Sequence, residues 1–203
     1  MLMPGAAAPA RTLDPVLGAP VAVPDPERLV HLQFRRFAGC PICHLHLRSV
    51  VRRHAEIEAA GVREVVVFHS PPEELHPHLD GLPFPVVADP DKRLYTAFGV
   101  ESSRRSLLSP RAWGPVVRAV LLGTWEMLRG RERPPVRNPR GGRLGLPADF
   151  LIGTDGRIAA VKYGEHADDQ WPVDELLAHA ATARRARAAR GQGLSGGSGS
   201  DRP

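Results

Sequence analysis

The segment Cys40-Pro41-Ile42-Cys43 lies where the sequence changes from a strand pattern to a helix pattern. Over residues 30–35 apolar and polar side chains alternate, and this period of two predicts a β-strand. Over residues 43–57 apolar positions recur every three or four residues, which predicts an amphipathic helix. This junction restricts the fold more than any other feature of the chain, because it requires the first thiol to lie at a helix N-terminus.

The remaining patterns predict strands and helices that alternate along the chain, with one interruption. The order is β-α-β-α-β-α, then an insertion, then β-β-α, and Thr154-Asp155-Gly156 forms the turn between the last two strands. Such an order builds a mostly parallel sheet with helices on both faces, to which the late hairpin adds antiparallel strands. We therefore expect a single-domain α/β sandwich. The further strands are predicted at 62–68, 84–88, 148–153 and 157–163, and further helices begin near 72, 89 and 172.

Composition separates a regular domain from less regular segments. Residues 1–28 contain six prolines and are predicted to form an extended N-terminal segment. Residues 29–183 are the predicted domain, within which about 102–146 is an insertion carrying ten arginines against two glutamates. Residues 184–203 are predicted to be a basic, Gly/Ser-rich disordered tail. The formal net charge of +5 is therefore concentrated away from the cysteines.

The cysteine pair has the chemistry of a redox site. Backbone N–H groups and the helix dipole favour thiolate at a helix N-terminus, so we expect a lowered pKa for Cys40. Strand alternation sends Arg35 and Arg36 to opposite faces, so one of them can add positive potential near the sulfur. Cys43 lies about one turn further on, within reach of a disulfide with Cys40 or of its sulfenic acid. We predict an exposed nucleophile at Cys40 and a more buried resolving thiol at Cys43; two inert buried thiols are the alternative.

Four stretches of the sequence carry a resemblance to a known family. They are FRRFAGCPIC at 34–43, REVVVFHS at 63–70, LPFPVVADPDKRLYTAFGV at 82–100 and LPADFLIGTDGRI at 146–158. Together they resemble the peroxiredoxin-like branch of the thioredoxin superfamily, and more narrowly its alkyl hydroperoxide reductase/thiol-specific antioxidant (AhpC/TSA) group with a CPxC motif. The third stretch favours this branch, because a plain thioredoxin passes almost directly from its second helix to the hairpin region.

The resemblance covers about 17–101 and 144–180. It implies a thioredoxin-like sandwich with peroxiredoxin-type additions, here carrying the arginine-rich insertion. It also implies a cofactor-free antioxidant oxidoreductase whose thiolate reduces hydrogen peroxide or an organic hydroperoxide. On this chain Cys40 would attack the hydroperoxide and Cys43 would resolve the sulfenic acid as a disulfide. A thioredoxin-like or low-molecular-weight thiol reductant, such as a mycothiol-type system, would restore the thiols.

Pro147 is a second marker of the site, at the start of the strand before the hairpin. In a thioredoxin-like sheet the chain at this point passes beside the cysteine pair, and a cis-proline there exposes backbone for contact with substrate. An ordinary trans proline that opens a strand is the alternative.

The chain departs from one motif of the family, and this departure keeps other functions open. Typical peroxiredoxins carry Pro-x-x-x-Thr-x-x-Cys, whereas this chain has Gln33 at the proline position and Phe37 at the threonine position. The family's distal arginine has no clear counterpart, although Arg143 lies near its place. A CxxC thiol–disulfide oxidoreductase acting on protein disulfides is therefore an alternative. A non-catalytic interaction module that binds partners through the insertion is another.

Several other classes of function are disfavoured. Two cysteines are too few for a disulfide framework or a four-cysteine metal site, and His44 diverges from Cys43 around the helix, so we expect no metal. No nucleic-acid motif accompanies the basic insertion, so we expect no nucleic-acid partner. We find no apolar stretch typical of a membrane span or a signal peptide, and we expect a cytoplasmic protein. The amphipathic stretch 116–128 could form a lid or a homodimer surface.

Overall fold

The computed structural model of the chain describes residues 1–100, 142 and 145–195. Strands and helices are numbered in chain order over these residues. The strands are β1 (Arg11–Leu13), β2 (Val21–Val23), β3 (Leu29–Arg35), β4 (Val62–Phe68), β5 (Val86–Ala88), β6 (Ala148–Ile152) and β7 (Ile158–Tyr163). The helices are α1 (Pro41–Arg52), α2 (His54–Ala59), α3 (Pro72–Leu75), α4 (Arg93–Ala97) and α5 (Val173–Ser195), with a 3₁₀ turn at His76–His78.

A five-stranded sheet in the order β5-β4-β3-β6-β7 forms the centre of the fold. The strands β3, β4 and β5 are parallel, whereas β6 is antiparallel to both β3 and β7. A tight turn in which Gly156 has a φ of +76° joins β6 to β7. The predicted order of elements and the predicted α/β sandwich are therefore confirmed.

The middle strand, β3, is buried on both faces. One face contributes to a core with α1, α2 and α5, where Leu47 and Leu176 are only 4% and 1% exposed. The other face contributes to an aromatic core, in which the Phe34 ring lies 5.3 Å from Phe98 and 5.6 Å from Phe150 between centroids. The alternation of apolar and polar residues in β3 therefore separates two buried environments, and neither of them is solvent.

The N-terminal segment covers part of the aromatic core. It contains β1 and β2, which pair as a two-stranded antiparallel sheet. From this small sheet Leu13, Val21 and Val23 join the aromatic core with exposures of 2 to 4%. Residues 1–28 are thus extended in part and also pack on the domain, a role that their proline content does not predict.

The ends of the helices follow the sequence pattern except at the C-terminus. The predicted first helix is divided at Arg53 into α1 and α2, and Gly61, with a φ of +70°, follows the end of α2. At the start of α4 the carboxylate of Asp89 accepts three backbone N–H groups at 2.8 to 3.2 Å. The helix α5 continues to Ser195 and so includes residues 184–195 of the predicted tail; alanines and arginines of high helix propensity extend it through 184–190.

Some predictions lie outside the described residues. They are most of the insertion, including the amphipathic stretch 116–128 and Arg143, and the tail at 196–203. Within the described part of the chain, no helix is both long enough and apolar enough to cross a membrane.

Candidate active site

The cysteine pair lies at the start of α1, just beyond the C-terminal end of β3. Cys40 is the N-cap residue, and Pro41 occupies the first helical turn, where its missing N–H would have no partner within the helix. Gly39 has a φ of +70°, a left-handed conformation that glycine adopts without steric cost. The Cys40 N–H donates to the Phe37 carbonyl at 3.1 Å and closes the turn between strand and helix. The pair therefore lies at the junction that the periodicity predicts.

Both cysteines are free thiols, and both are buried. Cys40 is 2% exposed and Cys43 is 1% exposed. The predicted exposure of Cys40 is therefore wrong, because both thiols belong to an apolar cluster that includes Phe37 and Leu79. The difference between the two thiols lies in their protonation.

The two thiols differ strongly in acidity. A hydrogen bond from the Cys43 thiol is the largest influence on Cys40 and lowers its pKa to about 7; burial opposes this, and Arg36 and the backbone N–H groups of Ile42 and Cys43 assist it. The same hydrogen bond, together with burial, raises the pKa of Cys43 well above its usual range. At pH 7 about half of Cys40 is therefore thiolate while Cys43 keeps its proton.

Arg36 is the cation beside the nucleophile. Its Nη1 lies 3.9 Å from Cys40 Sγ, and its Cζ lies 5.5 Å from the centre of the Phe37 ring. Strand alternation sends Arg35 to the other face, where its Nη2 donates to Asp149 Oδ1 at 2.7 Å. Of the two arginines predicted to shape the site, Arg36 therefore contacts Cys40, and Arg35 belongs to a buried polar network.

A narrow crevice of about 20 Å³ adjoins both thiols. This is room for about one water molecule, so the crevice is too narrow for a segment of a folded protein. His78 is half-buried and lines the crevice, whereas His76, two residues earlier, is exposed. His44 also lines the crevice, and the apolar lining residues are Ala38, Leu47, Phe68, Leu75, Leu79 and Leu82.

Pro147 lies at the same end of the sheet as the cysteines. Phe34 pairs with Ala148 near the C-terminal end of β3, in an antiparallel ladder. Pro147, which comes just before Ala148, therefore lies at the end of the sheet where α1 starts. Its carbonyl accepts the Gly164 N–H at 2.9 Å and extends the ladder between β6 and β7. Among the described residues the cis peptide bond is Val23–Pro24, so the predicted cis bond at Pro147 is wrong. Pro147 opens a strand as an ordinary trans proline.

A buried polar network lies on the face of β3 that α1 and α5 cover, and sequence reasoning missed it. Asp149 binds both Arg35 at 2.7 Å and His31 at 3.2 Å. Glu64 binds the opposite nitrogen of His31 at 2.9 Å, and Gln33 donates to Glu64 and accepts from Arg35. Burial disfavours charge on His31, but the two carboxylates outweigh it and raise the pKa of His31 to about 9. Two cations and two anions therefore balance one another without solvent.

The two positions that depart from the family motif are both occupied by buried side chains. Phe37 is 6% exposed and lies beneath the Arg36 guanidinium, and Gln33 belongs to the polar network. Neither residue supplies a hydroxyl near Cys40. Within the described ranges, no group of three or more His, Cys, Asp or Glu side chains is arranged to hold a metal ion.

Both the sequence and the fold match known proteins. The family model for AhpC/TSA antioxidant enzymes matches residues 49–166, a stretch that begins just after the cysteine pair. A Mycobacterium tuberculosis protein named "Putative peroxiredoxin Rv2521" is 30% identical over 169 residues, which cover 82% of this chain and 88% of that protein.

Solved structures share the fold at lower identity. Peroxidoxin BcpB from Mycobacterium tuberculosis has a TM-score of 0.63 at 16% identity, covering 90% of this chain and 98% of that chain. A "putative Thiol:disulfide interchange protein DsbE" from Chlorobium tepidum has a TM-score of 0.56 at 19% identity, covering 89% and 99%. The sheet and its helices are therefore those of a thioredoxin-like, peroxiredoxin-type fold.

Proposed function

Because the chain belongs to the AhpC/TSA antioxidant-enzyme family, we propose that it is a thiol-dependent peroxidase in which Cys40 reduces a hydroperoxide. The observation that carries the proposal is the asymmetry of the pair. Cys40 is the acidic thiol, with Arg36 3.9 Å from its sulfur, and it accepts a hydrogen bond from the proton that Cys43 retains. A thiolate that reduces peroxide needs a lowered pKa, and a resolving thiol needs to lie within reach of that thiolate.

The reaction proceeds through three balanced steps. The Cys40 thiolate attacks the terminal oxygen of ROOH, the O–O bond breaks, and RO⁻ takes a proton from water to leave as ROH. The Cys43 sulfur then attacks the Cys40 sulfenic acid, and the hydroxyl leaves with the Cys43 proton as water. Two electrons from a dithiol, or from two monothiols, return the disulfide to two thiols. Arg36 stabilises the negative charge before and during the first step.

The reductant in this proposal is a thioredoxin-like protein or a low-molecular-weight thiol. Thiol–disulfide exchange reduces a CxxC disulfide through a mixed disulfide with either donor. The cytoplasm, where such donors keep thiols reduced, is the compartment that suits this cycle.

A stoichiometric assay tests the proposal. Reduced protein is mixed with one equivalent of hydrogen peroxide or tert-butyl hydroperoxide, and thiols and peptide masses are followed. We expect a Cys40–Cys43 disulfide in the wild type, a dimedone-trapped sulfenic acid at Cys40 in Cys43→Ser, and no peroxide consumption by Cys40→Ser. Peroxide consumption by Cys40→Ser at the wild-type rate would refute the assignment.

A second candidate function is thiol–disulfide exchange with a protein substrate. Phe37 favours it, since the hydroxyl of the peroxidase motif is replaced by an apolar ring. Reduction of insulin disulfides by the reduced protein, without consumption of peroxide, would select this function. Inertness toward both substrates would instead select a non-catalytic interaction module.

A further inference from the structure

His69 is a buried histidine whose ring has no hydrogen-bond partner. It is 1% exposed, and neither Nδ1 nor Nε2 is bonded within the described residues. Another buried histidine, His31 of β3, differs, because both of its ring nitrogens are bonded to carboxylates. Leaving a buried polar group unbonded is costly, so such a group in a folded protein calls for a specific explanation.

His69 lies beside the start of the loop that leads from β3 to Cys40. Arg35 pairs with Phe68 in the parallel ladder, so Arg36 and His69 are the next residues along neighbouring strands. The His69 N–H donates to the Arg36 carbonyl at 3.2 Å. His69 is thus fixed beside the residue whose side chain reaches the nucleophile, since Arg36 Nη1 lies 3.9 Å from Cys40 Sγ.

The imidazole also borders a space that a glycine leaves open. A Cβ added at Gly145 would lie 3.1 Å from His69 Nε2 and 3.9 Å from Arg36 Cγ. The chain before β6 therefore carries a residue without a side chain at the point where the unbonded nitrogen and the Arg36 stem meet. Any larger residue would crowd that nitrogen.

The chemistry of this corner suits the leaving oxygen of a peroxide. Burial, assisted by Lys92 and Arg36, lowers the pKa of His69 to about 4, so the ring is neutral and has one N–H donor and one acceptor nitrogen. When a thiolate attacks ROOH, negative charge grows on the oxygen that leaves, and a fixed N–H donor stabilises that charge. Phe37 cannot supply such a donor, because it has no hydroxyl.

We propose that a hydroperoxide at Cys40 lies on the Arg36 side of the thiolate, where His69 and Gly145 meet, and not in the crevice that His78 lines. There the His69 ring N–H donates a hydrogen bond to the oxygen that leaves as RO⁻. This inference rests on the proposed peroxidase function. The S–O bond forms and the O–O bond breaks at Cys40 while RO⁻ takes its proton from water, so His69 holds its own proton throughout.

The test compares two reactions of the same thiol. The rate constant for oxidation of reduced protein by hydrogen peroxide is measured by stopped flow, and the rate of Cys40 alkylation by iodoacetamide is measured on the same samples. In His69→Leu we expect peroxide oxidation to slow about tenfold or more and alkylation to stay within about twofold. His69→Gln, which keeps an N–H donor, should recover most of the peroxide rate. The exposed His76→Gln is the matched control and should change neither rate.

Gly145→Ala provides a second approach that leaves the imidazole in place. Its methyl group should crowd Nε2 and slow peroxide oxidation while the alkylation rate is unchanged, and it decides the question if His69→Leu does not fold. Equal peroxide rates in the wild type and His69→Leu would overturn the inference and leave the peroxidase function standing. A parallel loss of both rates would also overturn it, because His69 would then act on Cys40 itself. A wild-type protein that does not react with peroxide would refute the proposed function and this inference with it.

Discussion

Replacing Arg36 with glutamine should weaken the acidity of Cys40 by an amount that the geometry sets. Arg36 is 3% exposed and its Nη1 lies 3.9 Å from Cys40 Sγ, so solvent screens the interaction little. Glutamine keeps a polar side chain of similar length and removes the charge. The substitution therefore isolates the electrostatic contribution of one cation to one thiolate.

Two unit charges about 4 Å apart interact by about 4 kcal/mol at an effective dielectric constant of 20. The same pair interacts by about 1 kcal/mol in bulk water, and Arg36 ranks below the Cys43 hydrogen bond among the influences on Cys40. We therefore take a value toward the lower end of this range, about 1.4 kcal/mol, which is a tenfold change in proton affinity. With a wild-type pKa of about 7 for Cys40, the thiolate fraction at pH 7 should fall from about half to about one tenth. Reactions of the thiolate should then slow about fivefold at pH 7 and recover above about pH 9.

Alkylation by iodoacetamide as a function of pH measures this effect. The assay uses a Cys43→Ser background, in which Cys40 is the thiol that reacts. Arg52→Gln is the matched control, because it removes the same charge from an exposed position at the far end of α1. The reasoning is refuted if Arg36→Gln leaves the pH profile unchanged, or if Arg52→Gln shifts it equally, since net charge and not proximity would then explain the acidity.

Three further predictions concern the polar network and the second thiol. The pKa of His31, about 9, lies above its ordinary value of 6.5, so its stabilisation is complete below pH 6.5 and is lost as the pH rises to about 9. In a protein with both cysteines changed to serine, urea unfolding should give a free energy roughly 3 kcal/mol lower at pH 9.5 than at pH 6.5, and an equal value at both pH values would contradict this. Asp149→Asn leaves buried cations without a shared carboxylate and should lower the free energy of unfolding by about 3–5 kcal/mol in the same assay; a loss below about 1 kcal/mol would count against the pairing. Cys43→Ala removes the donor to Cys40 and Cys43→Ser keeps one, so the pKa of Cys40 from alkylation should be higher in the alanine variant, and equal values would argue against the thiol–thiol hydrogen bond.

Much of the fold could be predicted because its signals are local. The strand-to-helix change at Cys40 depends on neighbouring residues, as does the hairpin turn at Gly156, and both appear in the structure. Gly61 marks the end of α2 for the same reason, since a left-handed conformation there favours glycine. The resemblance to a family implies the thioredoxin-like sandwich, which no local pattern determines.

The environment of β3 could not be predicted because its partners are distant in the sequence. His31 is bonded to Glu64, 33 residues away, and to Asp149, 118 residues away. Alternation of apolar and polar residues is equally typical of a strand with one solvent-exposed face and of a central strand with two buried faces. The burial of Cys40 has a similar origin, because Leu79 of its apolar cluster lies well downstream in the chain.

The adjacent residues Arg35 and Arg36 show how the buried network and the redox site depend on one strand register. Arg35 is held on one face by Asp149 at 2.7 Å, and this bond fixes the alternation that sends Arg36 to the other face. A shift of β3 by one residue would exchange the two faces, place Arg36 among the carboxylates and remove the cation 3.9 Å from Cys40 Sγ. The ionic network therefore stabilises the sheet and also the position of the arginines. By binding β3 to β4 and β6, it also determines which arginine stands beside the thiolate, although none of its members needs to touch the peroxide.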